Sequence, residues 1–329
     1  MAKLPITIAT WDYDRVRPLI DGRVRVEGCE VSYLVMPVEE CFHRAYFHQE
    51  FDVAEIGLSP FLIALSRGLA PYVALPAFLS RTFRHSAVYI RTDRGIERPA
   101  DLRGKRVGVP EYQQSAALWA RGFLNDDFGV RPDEMQWVQG GLEQVGRKDK
   151  FPINVPDGFP LSAQAEQSLS ALLASGELDA VISARAPSCF GRPGVPVQRL
   201  FPDYRAVEQD YFSRTGLFPL MHAVGVRNDR AAQYPWLAAS VYKAFAQAKR
   251  IAEQDLQEVT ALKIGLPWVT AELEATQQVM GENYWPYGVE PNRKALEAMT
   301  RYSYEQGLAV RKLSVEEIFA PSTLDDVHV

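Results

Sequence analysis

The sequence predicts an α/β protein of two lobes, each a mostly parallel sheet flanked by helices, with a ligand cleft between them. Between residues 6 and 67, strand and helix patterns alternate in the order βαβαβα, which builds a parallel, doubly wound sheet. A tight turn at Asp93-Arg94-Gly95 and the run at residues 101–110 open a second unit of the same kind. The 329 residues also exceed the roughly 250 to 300 that a single hydrophobic core usually serves.

Residues 6–10 read as a short buried strand, and Asp12 or Asp14 is placed to cap a helix running to about residue 20. Residues 31–36 form a second strand, followed by an amphipathic helix over 38–49. A third strand at 51–57 leads to Ser59-Pro60, an N-cap with proline in the first helical position, and a helix to residue 67. Apolar runs at 72–79 and 87–90 are strands. In the second unit, Ala116, Trp119, Ala120, Phe123, Leu124 and Phe128 recur at helical spacing over 113–128, and Gly129 ends that helix. A strand at 135–139 precedes a loop over 140–160, a length usually functional or mobile. A helix over 162–174 and a strand over 179–183 follow. Residues 217–226 return to the first unit as a strand. Helices at 236–254, 270–280 and 293–306 end in the capping box Ser314-x-x-Glu317. The first lobe is therefore expected at residues 1–92 with 220–329, and the second at 93–219.

Composition narrows the function. Hydrophobic content of 47% and charged content of 23% are those of a soluble globular chain, and a net charge of −5 without a basic block argues against nucleic acid. No window approaches the ~18 apolar residues of a membrane span, and mixed charges argue against an electrostatic membrane anchor. Cys29, Cys41 and Cys189 are odd in number and scattered, which suits a reducing compartment better than a disulfide framework. The N-terminus lacks an apolar targeting segment, so a cytoplasmic protein is expected.

The densest chemistry lies in Ser80-Arg81-Thr82-Phe83-Arg84-His85-Ser86, between two strands. Turns favour Gly, Asn, Asp and Pro, and this stretch has none. Its two guanidiniums, imidazole and hydroxyls instead suit an anion cradle with a proton carrier in it. Ligands in such sheets lie beyond strand carboxyl ends, which adds Trp11, Asp12, Glu55, Ser59, Arg185 and His222. Tyr112, Gln113 and Ser115 open a helix, where free amides and the dipole favour an anion. His222, inside an apolar strand, fits a satisfied core position more readily than a site. His43 and His48, five residues apart, are expected about 140° round their helix, so no shared metal is expected there, although Glu39 or Glu40 with His43 has usable spacing. His328 is expected in a solvated tail. Glycine-rich nucleotide loops, the H-E-x-x-H metal motif and the G-x-S-x-G elbow are all missing.

Residues 51–60, 101–110 and 178–182 resemble the type II periplasmic-binding-protein fold. Within it, the chain resembles the 4,5-dihydroxyphthalate decarboxylase family. The likeness runs through the Ser80 to Ser86 stretch, Val109-Pro110-Glu111-Tyr112-Gln113 with Trp119 beyond, and Ile182-Ser183-Ala184-Arg185-Ala186-Pro187. It continues through Phe218-Pro219-Leu220-Met221-His222 and Trp285-Pro286-Tyr287-Gly288. It covers nearly the whole chain, and the first two stretches are the most specific. Most proteins of that fold only bind ligands, so the fold by itself says little of activity.

The resemblance implies non-oxidative decarboxylation of 4,5-dihydroxyphthalate to protocatechuate and carbon dioxide, in phthalate degradation. Two ring carboxylates call for more than one arginine, and Arg81, Arg84 and Arg185, with Ser86, Tyr112, Gln113 and Ser115, are the candidates to hold the substrate. The ring carbon must be protonated before the carboxylate leaves, which needs an acid and a base. His85 is the candidate acid; His222, Glu55 or Asp12 is the base, and the sequence does not choose among them. Trp11, Tyr112, Trp285 and Tyr287 are placed to sandwich the ring. No organic cofactor and no metal site is expected, though metal dependence stays open, and a homo-oligomer acting on a small aromatic dicarboxylate is expected. Two other readings are a cytoplasmic sensor of the same fold without activity, and a metal-assisted decarboxylase.

Overall fold

The structure is a computed structural model that describes residues 2–147 and 149–325. His328 lies outside them. The chain opens with β1 (Leu4–Thr10), then a 3-10 turn over Asp14–Val16 and the short α1 (Arg17–Ile20). Neither Asp12 nor Asp14 caps this segment: Tyr13 holds the N-cap position, and Asp12 pairs with Arg17 instead. After β2 (Cys29–Val35), α2 (Val38–His43) widens into a π turn over Arg44–His48. It ends at Gln49, whose φ of 48° reverses the chain. The wider turn, with its i→i+5 bonding, brings the His43 and His48 rings within 5.4 Å. A regular helix would have set them on different faces, as the sequence reading expected.

β3 (Val53–Gly57) runs straight into α3 (Leu58–Ser66), with Gly57 rather than Ser59 at the N-cap, and β4 (Tyr72–Arg81) follows. The second lobe holds β5 (Val88–Arg91), β6 (Arg106–Val109), α4 (Ser115–Phe128), β7 (Gln136–Gln139) and β8 (Leu161–Ala163). It continues through α5 (Leu169–Ser175), β9 (Ala180–Ile182), β10 (Val197–Arg199) and α6 (Tyr204–Thr215). Residues 161–163 pair with β7 as a strand. The expected helix starts only after Ser168, whose Oγ accepts the Ala171 N–H at 3.2 Å. β11 (Leu220–Arg227) returns to the first lobe, and α7 (Asn228–Gln233), α8 (Leu237–Gln257), α9 (Val269–Met280) and α10 (Arg293–Glu305) close the chain. The Ser314 N–H is accepted by Glu317 at 2.8 Å, but this closes a turn rather than a helix.

The first sheet has the order β2-β1-β3-β11-β4 and the second β10-β5-β9-β6-β7-β8. Each is parallel but for one strand, β11 in the first and β5 in the second. Because β5 pairs with β9, the chain crosses between sheets over residues 82–87, ahead of the boundary expected at residue 93. One apolar core runs through both lobes, from Phe42 and Phe61 through Trp119 and Tyr302 to Val107 and Trp137. A second lies between the first sheet and the apolar face of α8, with Ile8, Val224, Tyr242 and Phe245. Hydrogen bonds lace the same seam. Ser59 N–H donates to Ser115 Oγ at 3.1 Å, Ser115 Oγ donates to the Met221 carbonyl at 3.1 Å, and Trp119 Nε1 donates to the Leu220 carbonyl at 2.9 Å. Among the described residues no helix is long and apolar enough to cross a membrane.

Candidate active site

Between the sheets lies a cavity of about 580 Å³, within the size range of small-molecule sites. The first lobe contributes Val38, Glu39, Phe42, Pro60, Met221 and His222; the second contributes Glu111, Gln114, Ser115 and Arg185, with residues 141–147 and Lys150 across the mouth. Arg84 enters from the crossover between the two.

The position of His222 comes from the sheet. β11 is irregular on both sides of it, its register against β4 shifting between Leu220 and His222 and again before Val224. Such bulges re-aim a side chain. Against β3, His222 opposes Gly57 and Val224 opposes Glu55, so Glu55 and His222 are diagonal neighbours on one face. His222 Nδ1 donates to Glu55 Oε1 at 2.7 Å, and the ring stands edge-on to Phe42 with centroids 4.8 Å apart. Nε2 has no partner among the described residues and is left for a ligand.

Glu55 is wholly buried in the centre of the sheet. The Trp11 N–H donates to its Oε2 at 2.9 Å, and the Tyr13 hydroxyl donates to its Oε1 at 2.7 Å. Burial pushes this carboxyl up, but His222 and the two other donors outweigh it and hold Glu55 below the ordinary carboxylate range. It is an ionised group behind a histidine that faces the cavity.

Arg84 and Arg185 both line the cavity, and among the described residues neither has a carboxylate within ion-pair distance. Arg84 is half-buried and its Nε lacks a partner; burial brings its pKa down to about 10, so it stays charged at neutral pH. Arg185 is exposed. Two further cations, Arg147 and Lys150, are neutralised. Arg147 bonds buried Glu111 at 2.6 Å and Glu39 at 2.8 Å, and Lys150 meets the same two at 2.9 Å and 3.6 Å. Burial raises Glu39, but Lys150 and Arg147 hold it net below the usual range. The segment from the second lobe is thereby tied to α2 of the first.

Several expected site residues lie elsewhere. The 3-10 turn over His85–Ala87 sends neighbouring side chains in different directions. Arg84 points to the cleft, while His85 is 1% exposed and stacked on Phe123 at 4.0 Å, with Phe201 and Tyr211 around it. Among the described residues neither ring nitrogen has a hydrogen-bond partner, and burial pushes its pKa down to about 4, so it is a neutral core residue. Arg81 turns to the far side of the first lobe, donating to Asn292 Oδ1 at 2.8 Å and the Phe218 carbonyl at 2.7 Å. Ser86 is engaged through its backbone with Glu208 and Arg199. Tyr112 is buried against the Arg121 guanidinium at 3.7 Å, and Gln113 bonds the backbone of Phe151. Ser115 lines the cavity, but its Oγ is committed to the seam between lobes. Asp12 is engaged by Arg17, and Trp11 is 43% exposed outside the cavity. Trp285 donates to the Phe78 carbonyl at 2.8 Å, and Tyr287 packs between two cores. None of these four faces the cavity.

Gln114, in the helix-opening stretch with Tyr112, Gln113 and Ser115, reaches the cavity wall, where its buried Oε1 lacks a partner among the described residues. The sequence reading missed Tyr13, Phe42, Arg147 and Lys150. The charged run beginning Arg147, inside a loop too long to be a plain connection, was the available signal for the last two. Among the described residues no group of three or more His, Cys, Asp or Glu is arranged to hold a metal ion.

Residues 58–147 match the family model described as NMT1/THI5 like. A 4,5-dihydroxyphthalate decarboxylase from Comamonas testosteroni is 41% identical over 330 residues, covering 100% of both chains. One from Pseudomonas putida is 45% identical over 213 residues, covering 64% of this chain and 83% of its own. Among solved structures, the periplasmic aliphatic sulphonate binding protein SsuA from Escherichia coli aligns with a TM-score of 0.55 at 12% identity, over 98% of this chain and 99% of that one. That likeness shows the two-lobed binding-protein fold.

Proposed function

The chain belongs to the 4,5-dihydroxyphthalate decarboxylase family, and we propose that its cleft converts 4,5-dihydroxyphthalate to protocatechuate and carbon dioxide with His222 as the proton carrier. One observation carries this reading. Two arginines without carboxylate partners among the described residues share a cavity with a histidine whose other nitrogen is bonded to a buried carboxylate. The arginines match two carboxylates on a flat ring, and the imidazole supplies the proton that replaces one of them.

An aryl carbanion is too unstable to form directly, so the ring carbon bearing the departing carboxylate is protonated first. The hydroxyl para to it gives its proton to a water molecule, and the oxygen's electron pair enters the ring. Nε2 of the His222 imidazolium delivers a proton to the carbon. The carbon–carboxylate bond then breaks, and its electrons return through the ring to the para oxygen, which regains a proton. One proton is consumed and one carbon dioxide released. Glu55 stabilises the imidazolium before transfer, and Arg84 and Arg185 hold the two carboxylates in register.

The reaction is proposed to need neither an organic cofactor nor a metal. A homo-oligomer is supported by Val259, Leu262, Ile264, Leu266 and Trp268, which all stay exposed between α8 and α9. A cytoplasmic site of action is supported by three buried, unpaired cysteines. Incubating the protein with 4,5-dihydroxyphthalate, with and without chelator, tests the function. Equimolar protocatechuate and carbon dioxide in both arms is the expected result. Tight binding without turnover would make the chain a sensor, and turnover lost to chelator would make it metal-assisted.

A further inference from the structure

We propose that Tyr13 is a positioning residue of the proton relay, fixing the Glu55 carboxylate so that it receives Nδ1–H of His222 and leaves Nε2 to the substrate. The inference rests on His222 as the proton carrier. Tyr13 does not line the cavity and acts through Glu55 alone. Its hydroxyl donates at 2.7 Å to Oε1, the same oxygen that accepts from His222, while the Trp11 N–H holds Oε2 at 2.9 Å. With both oxygens held and no exposed surface, the carboxylate keeps one orientation and one charge state. The tyrosine is itself clamped. The Arg15 guanidinium lies 4.2 Å from the Tyr13 ring and 4.3 Å from the Trp285 ring, and its Nε donates to the Leu79 carbonyl at 2.8 Å. The other titratable groups near the pair are Tyr33, bonded to Thr10, Cys41, whose Sγ faces the Ala9 and Glu55 carbonyls, and Glu39 on the His222 side; burial pushes the first two upward, so they stay neutral, while Lys150 and Arg147 hold Glu39 below the ordinary carboxylate range.

Tyr13→Phe keeps the ring and its stack on Arg15 while deleting the donor. The hydroxyl favours the negative state of the coupled Glu55–His222 pair, so its loss raises the pair's apparent pKa. The expected result is a fall in kcat of about ten- to a hundredfold, the range for a hydrogen bond to a charged group, with KM nearly constant. The limb of the kcat–pH profile set by the pair should move to higher pH. In place of Tyr13, 3-fluorotyrosine, a stronger donor of the same shape, should move that limb to lower pH, and it keeps the test open if the phenylalanine variant folds poorly. A reduced kcat with an unmoved limb in both variants would mean a merely structural tyrosine and overturn the inference. His222→Gln is run alongside. If that variant keeps full activity, the reading of His222 fails; if it is inactive while both Tyr13 variants match wild type, the inference alone fails.

Discussion

Replacing His222 with glutamine removes the only imidazole that lines the cavity among the described residues, while Arg84 and Arg185 stay in place. The cost to the fold is bounded by what the ring touches: the 2.7 Å bond to Glu55 and the edge contact with Phe42. A hydrogen bond to a buried charge contributes about 1.5–3 kcal/mol, and the glutamine amide can keep part of it. Stability should therefore fall by no more than about 2 kcal/mol. The chemical cost is larger. Losing a positioned acid costs ~10²- to 10⁴-fold in rate, or about 2.7–5.5 kcal/mol of barrier. Steady-state kinetics on 4,5-dihydroxyphthalate should show this loss in kcat, and calorimetric titration should find affinity almost unchanged, because the arginines carry it. A variant that kept kcat within about threefold of wild type would refute the assignment. One that lost affinity as well as rate would make His222 a binding group.

Arg84→Lys keeps the charge and discards the two-pronged donor; substrate affinity should fall about tenfold or more with the fold intact, and unchanged affinity would remove Arg84 from the carboxylate site. His85 makes stability depend on pH. Its pKa is about 4 in the fold against 6.5 for a free imidazole, so below 6.5 the unfolded chain binds a proton that the folded chain refuses. Stability is lost as pH falls from 6.5 towards 4, with about 3 kcal/mol at stake. Glu208, 4.0 Å from the ring and raised by its own burial, opposes this at the acid end. Denaturant titrations of His85→Leu should show a flatter pH dependence while turnover survives; an inactive but folded variant would return His85 to the chemistry. Glu39→Gln should loosen the segment tied by Arg147 and Lys150, seen as faster amide exchange across residues 140–150, and a product-like diacid should slow that exchange in wild type. The continuous core and the Ser59–Ser115–Met221 bonds oppose large rigid-body opening, so this segment is where ligand-linked ordering is expected.

The alternation of strand and helix to residue 67, the returning strand read at 217–226, and the long C-terminal helices were all legible in the sequence, because apolar periodicity reports directly on which faces are buried. So was the choice of residue types. Glu55 stood out at the carboxyl end of a strand, His222 as a polar group inside an apolar strand, and the Ser80 to Ser86 stretch as a set of donors. Which of them meet was decided by tertiary structure. Glu55 and His222 lie 167 residues apart, and they touch because β11 enters antiparallel beside β3 and is bulged around the histidine. Neither the register of distant strands nor a bulge leaves a local pattern to read. Within the donor stretch, one 3-10 turn turns Arg84 to the cavity and buries His85 under Phe123. In a regular strand, alternation would have revealed the facing of each residue. In an irregular turn, the facing depends on backbone angles set by what packs against it, and that packing exists only once both lobes have assembled.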